Sequence, residues 1–170
     1  QTYHDYELIV VDDGSTDDTA TRVATYRRRL KYLHIAHSGC PALVRNAGIR
    51  IARGRYLAFL DADDRWLPDK LARQLSLMDS KPDVGLLCSN AYVVENHQDF
   101  SSSRLFSQKK EKSGWMTDAL LHDCFICMSS VMIRREILDR SGWFHEAPVF
   151  RAVEDFDLWL RISVFTPIHY

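Results

Sequence analysis

The chain has 170 residues, 46% hydrophobic and 26% charged, which fits one domain able to bury about 68–70% of its unfolded surface. Its 22 basic and 23 acidic residues leave a net charge of -1, so no general basic field invites nucleic acid and any anionic ligand must be met locally. No run of 18 apolar residues marks a membrane helix, no signal peptide opens the sequence, and four scattered cysteines are too few for a disulfide scaffold, so a reducing cytosol is expected.

In chain order, Leu8-Ile9-Val10-Val11 reads as a strand stopped by Asp12-Asp13-Gly14-Ser15, a glycine-containing turn. The spacing of Ala20, Val23 and Ala24 predicts a helix over 17–30, with Ser15 or Thr16 as N-cap and Arg27, Arg28 and Arg29 favouring its C-terminal dipole. Leu33 to Ala36 is a weaker strand. A helix follows from about Pro41 to Arg53, with proline in its first turn and Gly54 as its stop. It carries Arg45-Asn46-Ala47-Gly48, where the glycine allows another backbone to come close.

Tyr56 to Leu60 is an apolar run suited to a strand covered on both faces, and it ends in Asp61, Asp63 and Asp64. Ligands of open α/β sheets bind at that carboxyl edge. Two carboxylates about 4 Å apart repel by roughly 4 kcal/mol at an effective dielectric near 20, so a converging cluster is explained by a cation, Mg or Mn for oxygen ligands. The alternative, solvated turn residues capping the next helix, stays open on this stretch alone.

Leu67-Pro68-Asp69-Lys70-Leu71 starts another helix, whose buried stripe is Leu71, Leu75 and Met78 and which Pro82 ends. Val84 to Val94 reads as one strand or a bent pair interrupted by Asn90. The polar stretch from Asn96 to Gly114 reads as a mobile loop. Cys124 and Cys127, with His122 nearby, have the spacing of half a zinc site but no second pair, which favours plain thiols. A short helix over 115–122 precedes them, and a strand over 130–133 and a helix over 135–140 follow. In Glu154-Asp155-Phe156-Asp157-Leu158-Trp159-Leu160-Arg161, Phe156, Trp159 and Leu160 share a buried helical face. Glu154 and Asp155 sit at the positive end of that helix, where the dipole favours ionised acids.

The alternation of strands and helices from Glu7 to Val94 predicts an α/β fold with a largely parallel sheet. In Tyr6-Glu7-Leu8-Ile9-Val10-Val11-Asp12-Asp13-Gly14-Ser15-Thr16-Asp17, Arg45-Asn46-Ala47-Gly48, Phe59-Leu60-Asp61-Ala62-Asp63-Asp64, Gly142-Trp143-Phe144 and Glu154-Asp155 with Trp159 and Arg161, the sequence resembles the family 2 glycosyltransferases. The resemblance implies a GT-A fold, Rossmann-like and flanked by helices, in a single domain over 1–170. A nucleotide-sugar-binding half would cover 1–95 and an acceptor-binding half 96–170. It implies inverting, metal-assisted sugar transfer from a nucleotide-sugar, a UDP-sugar as first choice, to an acceptor hydroxyl. Asp13 would read the base with Asp12 beside it and Arg45 as a further nucleotide contact. Asp63 would contact Mg or Mn directly, Asp61 the ribose or the metal. Asp155 would be the general base, and Glu154 would orient it or touch the acceptor. Arg161 is a candidate phosphate contact and Trp159 a core residue.

Implied partners are saccharide, lipid-linked or protein acceptors of cell wall or polysaccharide biosynthesis, with peripheral association at the inner membrane face left open. The strand that opens the family pattern is missing before Gln1-Thr2-Tyr3, which predicts a truncated fragment. The alternatives are an inactive nucleotide-sugar-binding module and a receiver-like signalling domain built on Asp12, Asp13 and Asp61.

Overall fold

The computed structural model describes residues 1–94 and 113–170. The loop expected from Asn96 to Gly114 lies outside them except for its last two residues. Strands β1 (Ile9–Asp12) and β2 (Lys31–His34) pair in parallel, with Ile9 opposite Lys31 and Asp12 opposite His34. A second sheet has the order β3 (Tyr56–Ala58), β5 (Met132–Arg134), β4 (Leu86–Leu87) and β6 (Ile168–His169). There β4 and β6 are parallel, while β5 runs against both its neighbours.

The side-chain alternation of a strand explains why this second sheet is covered on both faces. Leu86 and Ile133 enter a core with Leu138, Leu158, Trp159 and Ile162, whereas Leu87 and Met132 enter another with Leu71, Met78 and Val84. Helices α5 (Arg135–Ser141) and α6 (Glu154–Ser163) thus cover one face and α3 (Lys70–Ser80) the other, with Trp159 in the core as expected. Helix α4 (Thr117–His122) adds Leu120 to the first core.

Helix α2 (Pro41–Ile51) packs on β1 at Gly48, where a Cβ would stand 3.3 Å from Cγ2 of Val11. The close approach is therefore to a side chain rather than to backbone. Helix α1 (Thr19–Ala24) is shorter than expected and buries no residue, and a short helix without a packed face gains little beyond its first turns. The N-cap position falls at Asp18 rather than at Ser15 or Thr16, and the Ser15 N–H bonds Asp12 Oδ1 at 2.8 Å. The strand expected over 84–94 shrinks to two residues, and beyond it backbone N–H groups go to side chains instead of the ladder. Ser89 N donates to Ser130 Oγ at 3.3 Å and Ala91 N to Asn90 Oδ1 at 2.9 Å.

Candidate active site

At the carboxyl end of β3 the backbone reaches Asp61, whose N–H donates to Ser129 Oγ at 3.0 Å, and Asp64 N closes a turn onto Asp61 O at 3.1 Å. Asp63 and Asp64 are exposed. Across from them Arg45, early on α2, gives Nη2 to Asp61 Oδ1 at 3.1 Å and Nη1 to Glu154 Oε1 at 2.8 Å. Its guanidinium also lies 5.6 Å from the centre of the Phe144 ring. One arginine thus unites the acidic loop with the start of α6, residues far apart in sequence.

Glu154 is 6% exposed and its Oε2 is buried without a hydrogen-bond partner. Asp155 is half-buried beside it. Burial pushes the Asp155 carboxyl up, partly opposed by the Phe156 N–H on Oδ1 at 2.7 Å and reinforced by the neighbouring Glu154. The net direction is upward because desolvation outweighs that hydrogen bond and the nearby Arg45 charge, which both lower it. Two residues before Glu154, Ala152 has φ +67°, a conformation that costs a residue with a Cβ about 1–3 kcal/mol and clusters at functional sites.

Asp12 is buried, with its carboxylate taken up by Ser15 N, the Tyr32 hydroxyl and His34 Nδ1. Those bonds from Ser15 and Tyr32 hold it far below the usual carboxylate range. It is therefore the brace of the turn, and Asp13 is the more open of the pair. For Asp13, burial raises the carboxyl, but bonds from Ser38 Oγ at 2.8 Å, Ser38 N at 2.7 Å and Gly39 N at 2.9 Å outweigh it, and the net shift is downward. Asp13 so joins the turn after β1 to the loop before α2.

Among the described residues no group of three or more His, Cys, Asp or Glu side chains is assembled as a metal site. Magnesium commonly takes one or two carboxylates plus the phosphates of a substrate, so the hard oxygens of Asp61 and exposed Asp63 fit a cation that arrives with a diphosphate. Cys124 and Cys127 form no disulfide, and burial pushes the Cys127 thiol up. Arg161 does not point to a phosphate: it donates to the carbonyls of Ser141, Gly142 and Trp143 and to Asp157. Arg134 and Arg135 are likewise spent, on carbonyls of Val84, Met78, Gly54 and Ala52, so neither serves as the basic partner a receiver-like site needs.

Two residues at the site had no role in the sequence reading. Asn46 donates Nδ2 to Phe144 O and Glu146 Oε1, both at 2.8 Å, and accepts Phe144 N at 3.1 Å, fixing the ring under Arg45. Its place in Arg45-Asn46-Ala47-Gly48 was the available signal. Ser129 carried none.

The sequence profile of glycosyl transferase family 2 matches residues 1–142. The chain is 35% identical over 164 residues to the Escherichia coli UDP-Glc:alpha-D-GlcNAc-diphosphoundecaprenol beta-1,3-glucosyltransferase WfaP, covering 95% of this chain and 60% of that protein. It thus spans less than two thirds of that relative. The crystal structure of S. aureus TarS 1-349 in complex with UDP superposes with TM-score 0.68 at 25% identity, covering 94% of this chain and 45% of that one. The mannosyltransferase PcManGT from Pyrobaculum calidifontis, solved with GDP-Man and Mn2+, shares the fold at TM-score 0.66 and 21% identity, over 96% and 44% of the two chains. The fold is the GT-A type, and the profile match over most of the sequence places the chain in glycosyl transferase family 2.

Proposed function

We propose that the protein containing this chain transfers a sugar from a nucleoside diphosphate to an acceptor hydroxyl with inversion, and that Asp155 is the general base. The observation that carries this reading is the Arg45 bridge between Asp61 and Glu154, which puts a prospective diphosphate station beside a half-buried carboxylate. Asp13 reads the base through its remaining lone pairs. Arg45 faces the nucleotide while Glu154 keeps it aimed. Asp61 and Asp63 would hold Mg or Mn, which when bound offsets the charge on the leaving diphosphate.

Asp155 takes the acceptor proton as that oxygen forms its bond to the anomeric carbon and the bond from that carbon to the diphosphate oxygen breaks. A carboxyl held above its ordinary range is a stronger base than an exposed one. The relative named for a UDP-Glc donor and a diphosphoundecaprenol acceptor, and the UDP complex of TarS, support a UDP-sugar and a lipid-linked acceptor. No helix among the described residues is long and apolar enough to cross a membrane, so a lipid-linked acceptor would be met at the membrane face.

Calorimetric titration of UDP in Mn2+, paired with turnover of UDP-sugars, tests the reading. Asp155→Asn is expected to lower turnover by about 10²–10⁴ with little change in UDP affinity. Parent-level turnover in that variant rejects the assignment, and binding without any turnover by the parent identifies a silent nucleotide-sugar-binding module.

A further inference from the structure

We infer that Ser129 is a positioning residue that sets the acidic loop over 61–66 for nucleoside diphosphate binding, an inference that rests on the glycosyl-transfer reading of the same loop. Ser129 is 7% exposed and lies on a single 3₁₀ turn, Met128–Ser130, immediately before β5. It holds both ends of the loop. Its Oγ accepts the Asp61 N–H at 3.0 Å, and its carbonyl accepts Trp66 Nε1 at 2.6 Å. Between those anchors Ala62, Asp63, Asp64 and Arg65 are exposed, so packing does little to fix them.

The turn itself is built to stay still. Ser130 N and Oγ both bond Cys127 O, at 3.0 and 2.7 Å, and Gln74 Nε2 on α3 donates to Ser130 O at 2.7 Å. Lys70 Nζ lies 4.1 Å from the centre of the Trp66 ring and donates to Gln74 Oε1 at 2.6 Å, so the indole is braced from the same helix. The clasp therefore ties a loop that would carry the cation and diphosphate to the covered sheet. Groups that orient metal-binding carboxylates commonly matter 10- to 100-fold.

The test compares the parent, Ser129→Ala, Ser129→Thr and Trp66→Phe by hydrogen exchange and by UDP affinity in Mn2+. Ser129→Ala is expected to speed exchange in the 61–66 segment and weaken UDP by about 10- to 100-fold, with exchange in α3 and α6 unchanged. Ser129→Thr keeps the hydroxyl and recovers most of the affinity. Trp66→Phe keeps an aromatic side chain but not the indole N–H, and gives a smaller shift of the same kind, which tests the clasp even where Ser129→Ala fails to fold. Unchanged exchange at 61–66, or loosening spread evenly over the core, overturns the inference while leaving the transfer reading standing. A parent that binds no UDP or GDP rejects the transfer reading and the affinity claim with it, and the exchange data still score the clasp.

Discussion

At the scale of single residues, Arg45 joins more of the site than any other side chain described, and its ion pair to Glu154 is largely shielded, with side chains 16% and 8% exposed. Removing one partner of such a pair strands the other charge and costs about 3–5 kcal/mol, whereas removing both charges together costs far less. Arg45→Met is therefore expected to lower the unfolding free energy by that amount in denaturant titrations, and Arg45→Met with Glu154→Gln to recover most of it without recovering nucleotide binding. Asp155 makes a second prediction at this scale. Its carboxyl is raised by burial, and a base works only when deprotonated, so kcat/KM is expected to fall with decreasing pH through a value above the ordinary carboxylate range. A limb at the ordinary aspartate position would count against Asp155 as the base.

At the scale of elements, α2 is the part that organises the site, because its two faces do different work. Gly48 meets Val11 on β1, while Arg45 and Asn46 reach the acids and the Phe144 segment. Gly48→Leu forces extra volume against Val11 and is expected to cost about 1–3 kcal/mol. Asn46→Ala leaves buried backbone groups of Phe144 without partners, each worth about 1–3 kcal/mol, and frees the ring beneath Arg45. Thermal unfolding reads the first effect, and loss of UDP affinity in excess of the stability change reads the second. An Asn46→Ala protein that binds UDP as the parent does would show that the Phe144 segment has no part in aiming Arg45.

At the scale of the whole molecule, the turn after β1 is joined to β2 and the loop before α2 chiefly through the carboxylates of Asp12 and Asp13. Both have folded-state values below their unfolded ones, so the unfolded chain binds more protons in the acid range. Their stabilisation is complete above about pH 4, the unfolded aspartate value, and is lost as the pH falls through the lower folded values. Acid unfolding followed by circular dichroism is expected to flatten in Asp12→Asn, and an unchanged acid limb would assign the pH dependence elsewhere.

Much of this was legible in the sequence because it rests on local signals: apolar runs for β1 and β3, proline at the start of α2, a helical stripe in α6, and acids where the strands stop. Those features also carried the family resemblance, since spacing along the chain preserves them. Pairing was less legible. Strand β4 was expected but at greater length, the two-residue β6 carries too little pattern to announce itself, and β5 takes its reversed direction from its neighbours. What only the tertiary structure decided is which charges meet. The Arg45 bridge spans 109 residues to Glu154 and the Ser129 bond spans 68 to Asp61, and no periodicity encodes a contact between a helix, a loop and a 3₁₀ turn that converge only after the sheet is covered on both faces.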